Sequence, residues 1–282
     1  MSDRASIQAL AQTSAQTSDF LTPHWPAPAH VRAVCSTRAG GVSQSPYDSL
    51  NLGDHVGDSP QAVAANRVAL AQRLNAGQDA GPVVKPVFLN QVHGTRVVRL
   101  DASTPDATVA DACLSTQRGL ACTIMVADCL PVLLTDETGN CVAAAHAGWR
   151  GLAGHEGNGV LESVLRSFRA ETQYPLAQAA PKIIAWLGPC IGPEAFEVGP
   201  EVRAAFVSHD AQAAACFKSL ASDKWLCDLQ GLARQRLRAL GVTQVFGNDG
   251  STEWCTVANP SRFFSHRRDR VSGRMAACIW LD

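Results

Sequence analysis

Cys129 and His146 bracket the apolar stretch between them in "MVADCLPVLLTDETGNCVAAAHAGWRG", residues 125–151. A thiolate beside an imidazole can serve as a nucleophile with its base, or as two ligands of a metal. Either chemistry requires the two side chains to meet. "PVLLTD" and "CVAAAHAG" read as strands, and "ETGN" between them carries the Gly and Asn that suit a turn. If the loop centres between Glu137 and Thr138, Thr135 faces Asn140, and six further steps along each strand set Cys129 opposite His146. Directly opposed residues share a face, with Cβ atoms about 4.5–5.5 Å apart.

A metal would need a further ligand, and His93 in "NQVHGTRVV" is the candidate, in a turn between strands with Gly94 beside it. Two His and one Cys suit zinc, and three protein ligands leave a fourth position for water, the arrangement of catalytic sites. No CxxC pair or HExxH occurs, so the spacing by itself favours a buried thiol and a hydrogen-bonded core histidine over a metal site. Asp128 could orient Cys129, transfer a proton, or simply end a strand. Arg150 in "GWRG", just before an expected helix start, and Arg38 in the Gly-rich "STRAGGVS" suit a phosphate, or else exposed ion pairs. Cys190 in "GPCIG" is expected to line the site as a wall residue more readily than as a nucleophile. Arg267 and Arg268 are expected to pair with nearby carboxylates. Cys113, Cys122, Cys141, Cys216, Cys227, Cys255 and Cys278 fall mostly in apolar runs and are expected in the core.

The elements that must hold these residues are legible along the chain. Ser59 and Pro60 are an N-cap and first residue for a helix that Gly77 would close. "PVFLNQ" and "TRVVRL" are short strands flanking the His93 turn, and "GLACTIMVAD" is a nearly continuous apolar strand buried on both faces. Val160, Leu161, Val164, Leu165 and Phe168 make one helical face. "KIIAWLG" is a buried strand, "DLQGLARQRLRALG" a helix stopped by Gly241, and "MAACIWL" a terminal core strand. This order predicts an α+β (mixed α/β) fold, with mixed sheets covered by helices in a single domain over residues 20–282 and a loose tail at 1–19. At 282 residues and 46% hydrophobic, the chain can bury a sizeable core. A net charge of −1 gives no electrostatic case for nucleic acid or an anionic membrane as partner. Ten cysteines behind a start that does not read as a secretory signal point to reduced thiols in the cytoplasm.

Five ordered motifs, "NQVHG", "ADCLPVLLTD", "AAAHAGWRG", "LGPCIGPEAFEVGPEV" and "FFSHRRD…GRMAACIW", resemble the YfiH family. Its members have been called polyphenol oxidoreductases, laccase-domain proteins and purine nucleoside phosphorylases. The resemblance runs from about Arg38 to the C-terminus. It implies that His93, Cys129 and His146 are zinc ligands. One departure is His266, where an aromatic such as tyrosine is expected. The resemblance further implies phosphorolysis of adenosine, inosine, guanosine and methylthioadenosine, with deamination of adenosine in the same site. Deamination has clear physics, since zinc brings the pKa of its water to about 7 and so supplies a nucleophile for C6. Phosphorolysis needs an anion site, which Arg38 and Arg150 could form.

Competing readings are amide chemistry, either peptidoglycan-precursor editing or a cysteine hydrolase with Cys129 as nucleophile and His146 as base. A copper oxidase of phenols is less favoured: the chain has eight His and no HxH pair. A blue-copper site would also want an axial ligand, for which Met125 is the only nearby methionine. A non-enzymatic partner module would have no use for an open metal site.

Overall fold

The computed structural model describes residues 20–77, 81–172 and 182–282; the expected tail at 1–19 lies outside them. Two six-stranded sheets stack face to face. In the first, the order is Phe20–Leu21, Val31–Ser36, Met275–Leu281, Leu120–Val126, Lys85–Asn90 and Thr108–Val109. In the second it is Gln244–Gly247, Ile183–Leu187, Leu130–Asp136, Val142–Ala147, Ala112–Ser115 and Val97–Arg99. Both sheets mix parallel and antiparallel pairs, and a small three-stranded sheet stands apart.

Strand periodicity of two explains how both faces of each sheet are covered. Leu133, Val142, Ala144 and Trp186 of the second sheet meet Ile124, Ala277 and Ile279 of the first in one core. Their neighbours Val132, Leu134, Ala143 and Ala145 point the other way, onto the helices Val160–Thr172 and Leu229–Ala239. Ala121, Met125, Ala276 and Cys278 face the helix Pro60–Leu74. The fold is thus α+β, four layers deep, in one domain. Every residue of Leu120–Val126 is buried, as expected of a strand covered on both sides. The Pro60–Leu74 helix starts as its sequence requires, with Ser59 Oγ accepting from Ala62 N, and Gly77 follows it at φ +78°. The buried face of Val160–Thr172 is the one its spacing marks out.

The hairpin register differs from the sequence-based count by two residues. Leu134 pairs with Ala143 and Pro131 with His146, so the turn centres between Thr138 and Gly139. Asp136 sets it: its carboxylate accepts from Thr138 N and Gly139 N, and Gly139 takes the φ of +66° that the chain reversal requires. A shift of two preserves side-chain parity, so the shared face survives the shift. Cys129 therefore lies just beyond the last pair, Leu130 with Ala147, across from Gly148 rather than from His146.

Candidate metal centre

Two connections cross from one sheet to the other at the same end of the stack. One runs from Lys85–Asn90 to Val97–Arg99 and carries His93; the other runs from Leu120–Val126 to Leu130–Asp136 and carries Cys129. His146 reaches the same point from the strand Val142–Ala147. The donor atoms of His93, Cys129 and His146 all lie within 4.8 Å of one another. Cys129 Sγ is 3.7 Å from His93 Nε2, and the two imidazoles meet edge to face with centroids 4.8 Å apart. Burial is graded: His146 is 4% exposed, Cys129 half-buried and His93 exposed.

Both crossings are held in costly backbone conformations. His93 has φ +61° and Asp128 has φ +89°, a region that non-glycine residues avoid. Specific anchors impose it. The buried Asp111 carboxylate accepts from the backbone N–H groups of Val92, His93 and Gly94 at 3.1, 2.8 and 2.7 Å, and Asp111 Oδ1 lies 2.9 Å from His146 Nδ1. One carboxylate thus fixes the turn of one histidine and the ring of another, leaving Nε2 of His146 free to face the site. Gln91 pairs with Met125 through both its amide atoms, at 2.8 Å each, extending the sheet ladder into the His93 turn. Asp128 accepts from Thr256 Oγ1 and from Arg267 N, each at 2.6 Å.

Asp111 and Gln91 were not singled out in the sequence. A lone carboxylate in the apolar "ATVADACLS" was the available signal for Asp111; Gln91 has none short of the fold.

Electrostatics make Cys129 unlike the other thiols. Burial by itself raises its pKa, but the charge of His146 and hydrogen bonds to His146 and His93 outweigh that and bring it down to about 6. Burial likewise disfavours charge on His146, yet Cys129 and Asp111 together push it up to about 9. Without metal, the pair is a thiolate and an imidazolium. Asp111 pays a desolvation penalty and is held low nonetheless by His146 and the turn amides.

The donor set fits a metal ion. Two imidazoles and a thiolate converge, and Gly148 leaves them room: a Cβ there would lie 2.8 Å from Cys129 Sγ and 2.9 Å from His93 Cδ2. Met125 sends its side chain to the helix-covered face of its strand, where its sulfur lies 4.0 Å from Arg67 Nη2. That is a poor posting for an axial copper ligand. Among the described residues, no other cluster of His, Cys, Asp and Glu could hold a metal.

The triad opens into a cleft of about 410 Å³ whose walls include Trp149, Ile191, Phe196 and Leu229. Arg150 lines it, with its guanidinium 4.4 Å from the Trp149 ring centroid; it is the second residue of the short helix Trp149–Ala153, not a residue before it. Arg38 is not brought to the cleft. Its guanidinium donates to Asp48 O and Pro260 O, pairs with Asp48 Oδ2 at 3.2 Å and stacks on Phe264. Cys190 is fully buried behind the wall, between Gln230 and Asn248, with its pKa pushed far up by burial, so neither a wall nor a nucleophilic role fits it. Arg268 pairs with Asp269 as expected; the Arg267 guanidinium has no carboxylate partner among the described residues and donates to Glu197 O instead.

The family described as multi-copper polyphenol oxidoreductase laccase matches residues 32–282. The chain belongs to this family. A purine nucleoside phosphorylase of Pseudomonas aeruginosa is 49% identical over 264 residues, covering 93% of this chain and 98% of its own length. The purine nucleoside phosphorylase YfiH of Escherichia coli K12 is 48% identical over 264 residues, covering 94% and 99%. Among solved structures, a Neisseria meningitidis protein superposes with a TM-score of 0.81 at 45% identity, covering 94% of this chain and 99% of that one. The names of the two relatives support an enzyme. The family description speaks of several coppers, whereas the described residues assemble one three-donor cluster.

Proposed function

We propose that this chain is a zinc-dependent purine nucleoside phosphorylase acting on adenosine, inosine, guanosine and methylthioadenosine, and that the same cleft deaminates adenosine. The observation that carries the reading is the convergence of His93, Cys129 and His146 over Gly148 in a cleft of nucleoside size. Relatives of nearly full length with that name support it. His93, Cys129 and His146 hold the metal, and residues 20–282 act as one zinc-enzyme domain. Bound there, zinc supplies a Lewis acid that activates water at neutral pH, the chemistry deamination at C6 needs. Asp111 orients His146 and the His93 turn. Asp128, with both oxygens engaged, positions the wall that carries Arg267. Trp149 and Phe196 give apolar surface for a purine, and Arg150 adds positive charge. In phosphorolysis a phosphate oxygen bonds to the sugar C1′, the C1′–N9 bond breaks, and the purine leaves with the electron pair and takes up a proton. Ten unpaired thiols fit a cytoplasmic setting.

The test is a product assay on purine nucleosides with and without phosphate. Purine base and pentose 1-phosphate formed only with phosphate, and inosine formed from adenosine without it, are the expected results. Neither product would reject the reading.

One observation favours a second reading. Asp111, His146 and Cys129 also form the orienter, base and thiolate of a nucleophilic triad, suited to amide hydrolysis. Metal separates the two, since a chelator stops the zinc enzyme and spares or activates the thiol enzyme.

A further inference from the structure

Among the described residues, most arginines that approach an acid are neutralised by it: Arg32, Arg67, Arg99 and Arg236 pair with Asp282, Asp54, Glu171 and Glu162. Others, such as Arg96 and Arg118, have no carboxylate partner among the described residues, but the cleft gathers four of that kind. Arg150, Arg267, Arg270 and Arg274 line it, and none of the four has a carboxylate partner among the described residues. The acid that shares their wall, Asp128, is engaged with Thr256 Oγ1 and the Arg267 backbone. Three of the arginines come from one segment, and the side chains of two are held in place. Arg267 Nη1 donates to Glu197 O, and Arg274 Nη1 donates to Ser272 O and Gly273 O while its backbone N–H is tied to Asn51. Such bonds to neutral carbonyls fix the guanidinium groups without a paired carboxylate, although the charges of Cys129 and Asp128 are felt at Arg274.

Arg270 adds an independent observation. Its φ of +61° and ψ of −54°, with Val271 N donating to Asp269 O at 2.7 Å, form a three-residue turn of the rare, strained hand. Glycine takes such a conformation most easily, yet an arginine stands here, with no hydrogen bond or ion pair to its side chain among the described residues. Seven non-glycine residues have positive φ among the described residues, and three of them, His93, Asp128 and Arg270, line this one cleft. Strain of this kind persists where a side chain must be aimed.

We propose that Arg270 and Arg274, flanked by Arg267, form a subsite for a doubly charged phosphoryl group, on the wall of the cleft built by residues 266–274. The inference rests on the phosphorolytic reading and gives it its anion site. The occupant is orthophosphate, or the phosphate of the pentose 1-phosphate that phosphorolysis releases; both present the same three terminal oxygens to planar guanidinium donors. Arg38 has no part in it.

Calorimetric titration of the protein as purified, with inorganic phosphate and separately with ribose 1-phosphate, tests this. Losing one charged hydrogen-bonding partner weakens binding roughly tenfold or more. Arg270→Gly and Arg270→Gln should both show that loss, while Arg32→Gln, outside the cleft, should not. Arg270→Gly should melt no lower than the unaltered protein, because glycine relieves the turn, so weakened binding cannot be assigned to misfolding. Loss of affinity for orthophosphate alone identifies the co-substrate position; loss for both ligands identifies a site that also holds the product; each supports the subsite. Undiminished binding in both Arg270 variants, or phosphate binding that disappears only when metal is removed, overturns it. Phosphate binding that depends on Arg270 in a protein that splits no nucleoside would keep the subsite and reject the reaction. Phosphorolysis with an unchanged phosphate KM in the variants would do the reverse.

Discussion

The interior of the sheets and the corner where the chain crosses between them put the same residue type to opposite use. Cys35, Cys122 and Cys278 are buried in the strands, where burial drives their thiols to high pKa values, about 12 for Cys278. Cys129 also suffers burial, yet stands near 6, because His146 and His93 meet it at the corner. Desolvation acts on both groups of thiols, so it cannot explain the contrast. Neighbouring charge does, and only the sheet crossing brings it within reach.

The comparison can be broken most sharply at the ligands. Cys129→Ala should reduce bound zinc from about one per chain to none measurable by elemental analysis, whereas Cys278→Ala should leave it untouched. Zinc retained in the Cys129 variant would remove the thiolate from the ligand set. Gly148→Ala comes next. Its methyl group would sit 2.8 Å from Cys129 Sγ, so the folded protein should lose its metal without losing any donor. Normal zinc content in that variant would mean that the donors do not converge over Gly148. Asp111→Asn should leave all three donors but weaken zinc about 10–100-fold in a competitive chelator titration, by loosening both histidines.

Titration sharpens the contrast further. In metal-free protein, alkylation of Cys129 should rise with pH around a midpoint near 6, while Cys141, pushed up to about 12, stays unreactive at neutral pH. The same pair shapes stability. The Cys129 pKa falls on folding, so its contribution is lost as pH drops through about 6; the His146 pKa rises, so its contribution is lost as pH climbs through about 9. Between those limits one contribution grows as the other declines, so the melting temperature of metal-free protein should stay nearly level from about pH 6.5 to 9. A melting temperature that rises steadily through pH 9 would exclude the ion pair. The smallest effect belongs to Arg38→Gln, which gives up bonds to Asp48 and Pro260 and should cost about 1–2 kcal/mol in denaturant unfolding. Its phosphate KM should stay unchanged; a tenfold rise would return Arg38 to the anion site.

What could be read in the sequence was whatever depends on local pattern and parity. The helices came from caps and apolar spacing, and the shared face of Cys129 and His146 survived a register error of two because strand parity repeats every two residues. The error arose because Asp136, through its carboxylate, and Gly139, through its positive φ, choose the turn's centre, which a count of loop residues does not weigh. What stayed hidden depends on long-range return. Asp111 reaches His146 from 35 residues away, and Asp128 meets Arg267 through its backbone N–H while the guanidinium turns to Glu197 O. Arg38 and Cys190 looked functional because glycine-flanked loops often are, but Asp48 and Pro260 occupy the first and burial silences the second.

The most direct measurement of the central claim is X-ray absorption at the metal edge on protein purified without added metal. The account predicts zinc, with two nitrogen scatterers at about 2.0–2.1 Å, one sulfur at about 2.3 Å and one further light atom in the open position. Copper at that edge, or zinc bound without sulfur, would contradict it.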